Sequence, residues 1–266
     1  MKNAFLMVLA TCLVMLAVSP AGAEWISLTG AREGATPEVS LAGSDSGGVT
    51  VTVDVPGIYV MEEEMEGMVF HAVRIPEAGR SLDVGFPEVP KIQVSIAVPA
   101  TGRVAVREVG RTSQTLDGYI VSPMQHATTD IDPVPEFVIN EKAYSSGMYP
   151  PAGVSMHAPA IRRDVRFVQV DVYPVIARAS EVMMDVATQV TFEVKFSDGV
   201  GINEKTREVG LISPELDNMY RKSYLNYDAL GYDVGESRDS NIRYLIITAD
   251  SHAASIQPLA DWWNRT

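Results

Sequence analysis

Val49-Thr-Val-Thr-Val-Asp-Val55 decides the fold class. Its valines fall on one face and Thr50, Thr52 and Asp54 on the other, the period of two that a strand with one buried side requires. Pro56-Gly57 closes the run with turn chemistry, and Ile58-Tyr-Val60 starts the next strand. The alternation then recurs. Met68–Ile75 reads as a strand with His71 as a structural residue inside it. Ile92, Val94, Ile96 and Val98 alternate, and Val104 and Val106 resume after Pro99–Gly102, which predicts a β-hairpin. Asp164–Tyr173 is apolar at Val165 and Phe167 and then at Val168, Val170 and Val172; this slip of phase predicts a bulge near Phe167. Val190, Phe192, Val194 and Phe196 give the last clear strand. Short strands, Pro/Gly turns and no internal repeat predict a mainly β protein built as an antiparallel β-sandwich.

Two stretches depart from this pattern. Ser213 caps a predicted helix with Pro214 at its first position, Glu215 and Asp217 in its first turn, and Leu216, Met219, Tyr220 and Tyr224 along one face. Near the end, Arg243-Tyr-Leu-Ile-Ile-Thr248 reads as a buried strand and Ile256–Trp263 as an amphipathic helix. Together they read as the first βα unit of an α/β domain cut short. The expected division is therefore a signal peptide over 1–23, a flexible leader over 24–48, a sandwich over 49–230, a linker over 231–242, and the start of a further domain over 243–266.

The signal peptide rests on Lys2, the apolar run Ala4–Val18, the break at Ser19-Pro20 and the small-residue site Ala21-Gly22-Ala23, which places cleavage between Ala23 and Glu24. The apolar run is about 15 residues, short of the about 20 that a membrane-crossing helix needs. Export to the periplasm or the exterior follows, with no membrane attachment after cleavage. Cys12 is the single cysteine. It leaves with the signal, so the remainder has no disulfide and no cysteine nucleophile. A net charge of −13 argues against nucleic acid and anionic membranes as partners.

Catalytic patterns are absent from the sequence. No Gly-x-Ser-x-Gly elbow occurs, and His71, His126, His157 and His252 form no zinc-ligating spacing. The run Glu62, Glu63, Glu64 and Glu66 reads as a solvated loop without the calcium-loop pattern. The chain as given therefore reads as non-catalytic and without a cofactor. Thr112–Tyr149, interrupted by Pro123, Pro133 and Pro135, reads as a long connection carrying one strand, Glu136–Ile139, and long connections on rigid sandwiches are where binding tends to reside.

Three stretches, in this order, resemble the gingipain family of secreted cysteine peptidases. Gly85-Phe-Pro-Glu-Val-Pro90 looks like the turn that enters a strand in that family's propeptides. Met148-Tyr-Pro-Pro151, Arg162-Arg-Asp-Val-Arg-Phe167 and Val172-Tyr-Pro174 look like a later propeptide segment, with Val175-Ile-Ala-Arg178 where the family has an aromatic-Asn-Pro. Tyr244–Thr248 with Leu259-Ala-Asp-Trp-Trp263 looks like the opening of the family's caspase-like catalytic domain. The resemblance implies an intramolecular inhibitor and folding assistant whose partner is its own downstream peptidase domain, with a loop laid across the active-site cleft. The parent protein would then be a cysteine endopeptidase, with calcium left open as its ligand. The dyad of such a peptidase lies further downstream, so no catalytic residue carries over. A peptidase with an acidic specificity pocket would take a cation from an exposed loop: Lys142 first, then Arg162 and Arg163. Activation would cut the linker at Arg238, or less readily at Arg243, which abuts the strand. Two other readings stand beside this one: a secreted binding or adhesion module, and the leader of a different α/β hydrolase.

Overall fold

The computed structural model describes residues 22–127, 135–145, 147–207, 209–235 and 246–263. In chain order the first strands are β1 (Glu24–Ser27), β2 (Glu38–Asp45), β3 (Gly48–Asp54), β4 (Gly57–Met65), β5 (Met68–Arg74) and β6 (Gly79–Arg80). β7 (Pro90–Ala97) and β8 (Arg103–Asp117) follow, then the short helix α1 (Glu141–Ser145). The second half holds β9 (Val154–Met156), β10 (Ala160–Arg162), β11 (Val165–Val172), β12 (Val175–Arg178) and β13 (Met183–Ser197). Helices α2 (Pro214–Ser223) and α3 (Asp250–Trp263) come last.

β13 organises the sandwich. β8 pairs along its whole length, from Met183↔Asp117 to Ser197↔Arg103, and so takes one edge. β12 and β3 share the other edge, with Val190 opposite Val53, Phe192 opposite Val51 and Val194 opposite Val49. β2 extends this sheet beyond β3, a second sheet runs β10-β11-β7-β6 with β9 on β11, and a third is β1-β4-β5. The alternating valines of β3 meet those of β7, β11 and β13 in one buried cluster. Each fully buried valine or isoleucine contributes about 1.5–3 kcal/mol.

The residues expected as a flexible leader form two strands. β1 pairs with β4 and β2 with β3. Few large apolar residues suffice there because an edge strand is held by backbone hydrogen bonds to a template already in place. Trp25 adds contact area by lying over Gly57 and edge-on to Tyr59, ring centroids 5.0 Å apart. The acidic run Glu62–Glu66 also belongs to structure, since β4 continues to Met65 and turns through Glu66-Gly67, both at positive φ, into β5.

The expected hairpin across Pro99–Gly102 does not form. β7 stays with β11 and β6, whereas β8 crosses to β13. The turn is a corner between sheets, held by Val98 N–H to Arg166 O (2.9 Å) and Lys205 N–H to Ala100 O (2.8 Å). Gly102 sits at φ +90, where a side chain would meet Ser197 O, so only glycine fits this corner. Nor is there a bulge near Phe167, because β11 pairs with β7 in unbroken register from Phe167↔Ala97 to Val172↔Ile92. The slip in apolar phase has another cause: β11 is buried on both faces. Val168, Val170 and Val172 enter the main core, while Val165 and Phe167 face a second cluster formed with Ile212, Tyr220, Tyr224 and Tyr227.

That second cluster is closed by α2. Ser213 caps it by accepting from Leu216 N–H (3.4 Å), as the sequence predicts. Beyond α2, the Asn226 amide bonds both backbone groups of Ala97, accepting at 2.8 Å and donating at 2.9 Å. The first residues of the expected linker are also tied down. Ile212 N–H donates to Asp233 O and Gly235 N–H to Ile212 O, both at 3.0 Å. Residues 243–245 of the expected C-terminal strand lie outside the described residues. Ile246–Thr248 is not a strand, and α3 starts at Asp250, earlier than expected.

Two buried polar groups fix the corners. Arg166 is 1% exposed and donates to three carbonyls, Pro99 O (2.8 Å), Gly102 O (3.1 Å) and Ile202 O (2.7 Å). Asp171, also buried, accepts from Gln93 (2.9 Å) and pairs with Lys91 (3.1 Å) and His157 (2.9 Å). Burial pushes the Asp171 carboxyl up, but the bonds from Gln93, His157 and Lys91 together outweigh it and hold it below the ordinary carboxylate range.

Two outcomes follow. Arg166→Met orphans three carbonyls and is expected to destabilise the fold by about 3 kcal/mol, read as a lowered denaturation midpoint with unchanged slope. A carboxyl whose folded pKa is depressed stabilises the fold above its unfolded value and loses that contribution as pH falls through the folded value. Stability is therefore expected to drop below roughly pH 4, and Asp171→Asn to flatten that drop in melts taken from pH 7 downward.

Candidate functional site

The long connection starts later than the sequence suggests, because β8 continues to Asp117; it carries no strand over Glu136–Ile139. Its two ends are pinned side by side. The Gln125 amide donates to Val138 O (2.8 Å) and accepts from Val138 N–H (2.9 Å), matching a backbone it never meets in sequence. Asn140 N–H donates to Gly85 O (2.8 Å), and Gly85 N–H donates to Met124 O (2.7 Å). Gly85 lies at φ +82, and a side chain there would press on Asn140 N and Val138. The Gly85–Pro90 turn is thus the seat on which the connection rests.

Lys142 lies on α1, one turn of helix mounted on this seat. Asn140 caps it by accepting from Ala143 N–H (3.0 Å). The Tyr144 hydroxyl donates to Val121 O (2.7 Å), and its ring meets Phe70 edge-on at 6.0 Å. Burial and the nearby Glu88 carboxylate push the Tyr144 hydroxyl pKa well up, so it stays a neutral donor. Lys142 is exposed on this fixed base. The surrounding surface includes Leu82 and Met148, both exposed, and the Tyr149 hydroxyl donates to Asp83 (2.6 Å) beside them.

Arg162 and Arg163 occupy a different place. They form the tip of the β10–β11 hairpin, with Arg163 at φ +53. Arg163 pairs with Asp164 at 3.4 Å, and Arg162 lies against Met219 of α2. Asp164 in turn accepts from the buried Tyr220 (3.0 Å), so the hairpin is fastened to the second cluster. α1 touches the single turn Ala179–Glu181 just before β13 begins. The hairpin is linked through Arg166 to Gly102 and Ile202, at the end of β13. The two groups are therefore separated by the length of β13, roughly 45 Å at ~3.3 Å per residue. One pocket cannot take both.

Of the remaining expected residues, Glu24 is the first residue of β1 and Ala23 precedes it. Arg238 and Arg243 lie outside the described residues. His71 is structural, its ring bonded to the Ile120 backbone. His252 lies near the start of α3, exposed. Among the described residues no group of three or more His, Cys, Asp or Glu is placed to hold a metal ion, and no helix is long and apolar enough to cross a membrane. The sequence singles out Gly85 as part of a turn but not as the seat of the connection, and it gives no sign of Gln125. The Asn-Glu-Lys-Ala cap pattern at Asn140 was legible in principle; the Gln125 pairing left no local signal.

Comparison with known proteins places this architecture. The profile of the Propeptide_C25 family matches residues 30–234. Lys-gingipain of Porphyromonas gingivalis is 26% identical over 208 residues, covering 75% of this chain and 12% of the relative. The Lys-gingipain of strain HG66 is 25% identical over the same length. The chain thus spans about an eighth of the curated relatives it matches. Among solved structures, a chain from the complex of the Porphyromonas gingivalis RgpB pro- and mature domains has a TM-score of 0.63 at 18% identity, covering 72% of this chain and 97% of that one. A gingipain K chain from the same organism, solved to address zymogenic latency, has a TM-score of 0.55 at 24% identity, covering 66% of this chain and all of that one. With the family profile running from just before β2 to the last tied-down residues after α2, this chain belongs to the Propeptide_C25 family.

Proposed function

We propose that this chain carries the propeptide of a secreted gingipain-like cysteine endopeptidase, and that the propeptide holds its own peptidase domain latent and assists its folding. The match of the family profile to residues 30–234 carries this reading, because it runs from before β2 through the backbone pairing of Ile212 with Asp233 that follows α2. It favours a propeptide over an adhesion module. Cleavage between Ala23 and Glu24 would leave β1 whole, in keeping with export behind a signal peptide.

Latency in this reading comes from occlusion of the cleft by the connection seated on Gly85–Pro90, with Lys142 as the cation for an acidic specificity pocket. A charge-assisted contact from a pre-organised helix costs little ordering on binding. Tethering raises its effective concentration further. Arg162 and Arg163 are less suited, since they form a hairpin tip remote from the long connection. Activation in this reading cuts at Arg238, within the segment between the body and α3.

Glu24–Arg238 mixed with the cognate peptidase is expected to inhibit at micromolar concentration or below, and Lys142→Ala to raise the inhibition constant on the order of 10- to 100-fold. Absence of inhibition by the unmodified fragment would count decisively against latency. N-terminal sequencing of the matured enzyme is expected to start at Asp239.

A further inference from the structure

The end of the body opposite Lys142 presents apolar side chains on a fixed frame. The loop after β13 is pinned at several points: Gly201 N–H and Gly102 N–H both donate to Glu204 (2.8 and 2.9 Å), and Asn203 donates to Pro159 O (2.6 Å). Arg166 holds Ile202 O from inside. A side chain at Gly201 would collide with Gly102 O, so the loop is packed as tightly as backbone allows. Yet Val200 is 83% and Ile202 61% exposed. A loose loop exposes aliphatic residues in passing; this one holds them outward. They wall a cavity of about 490 Å³ with Met156 and Pro159, and Ile161 of β10 lies exposed two residues further on. Arg103, Arg162, Arg163 and Arg207 are exposed at the same end of a chain whose net charge is −13.

The course of the chain indicates what covers this surface. Tyr232 stands beside the hairpin, its hydroxyl donating to Asp164 O (3.5 Å). Gly235 is bonded to Ile212 next to the exposed Leu211. The chain thus reaches Gly235 at this end of the body, and α3 begins at Asp250. Even fully extended, the intervening chain spans no more than about 50 Å.

We propose that this arginine-rimmed apolar end is a second docking surface for the domain that α3 opens, taking a partly apolar, carboxylate-bearing face of that domain. The inference rests on the propeptide reading and adds a contact remote from Lys142. The body then lies lengthwise on its partner and is held at both ends of β13. Contacts this far apart act independently and multiply in affinity.

The test uses the full precursor, purified and cut in the linker, with release of the propeptide followed by size-exclusion chromatography and by residual activity. The unmodified fragments are expected to stay together. V200E/I202E is expected to raise the dissociation constant by about tenfold or more, and R162E/R163E to shift it the same way while flattening its salt dependence. Both replace exposed side chains, and melts of the precursors check that the fold is kept. Affinity unchanged from the unmodified precursor in both variants overturns the proposal. Unmodified fragments that neither associate nor inhibit overturn the propeptide reading with it.

Discussion

Pairing of β13 along both edges is the constraint from which the rest of the structure follows. A strand of 15 residues spans nearly the whole body. Because β8 takes one edge entirely, β12 and β3 must divide the other, and the connections of the sandwich gather at the two ends of β13. At one end lie the Pro99–Gly102 corner, where the chain passes from β7 to β8, and the loop after β13; at the other, the turn at Ala179–Glu181 joins β12 to β13 and carries α1 against it. Lys142 and the Arg162–Arg163 hairpin tip lie at these two ends. Their separation is a consequence of strand length and owes nothing to loop flexibility.

Polar groups inside the sandwich do what apolar packing cannot, which is to fix loops against strands. Arg166 gathers three carbonyls from two loops that sequence places 64 residues or so apart from it in one direction and 36 in the other. Asn226 satisfies Ala97 from the helical side. Such groups are expensive to bury alone and stabilising only when every bond is made. They therefore select one arrangement of the corner over near alternatives, and a site built on that corner inherits the selection.

The strands of the core were legible because their burial is one-sided and periodic: β3 and the second half of β13 read directly from their valines. Three features escaped for identifiable reasons. β1 and β2 are held by backbone pairing, which any side chain permits, so their composition looked like a leader. Phe167 broke the phase because β11 packs a different cluster on each face, and a change of partner imitates a bulge. The Pro99–Gly102 turn looked like a hairpin because the residues that pull β8 to the other sheet, Ser197 and Lys205, lie nearly a hundred positions away. The candidate site was legible only in part. Lys142 stood out as a cation in a long connection and Asn140 carries a cap signature, but the seat at Gly85 and the Gln125–Val138 pairing are tertiary facts.

A propeptide in this reading faces opposed demands: tight hold before cleavage and release afterwards. A single buried contact meets the first and fails the second. Splitting the hold between two ends of a stiff strand pair meets both, because the loss of either contact, or of the tether, lowers the affinity by a factor without unfolding the body. Exposed Val200 and Ile202 leave most of their apolar surface in water, at about 25 cal/mol per Å² forgone. Holding them outward on a loop pinned by Glu204, Asn203 and Arg166 places that unused burial at the end of the body where Tyr232 meets the β10–β11 hairpin.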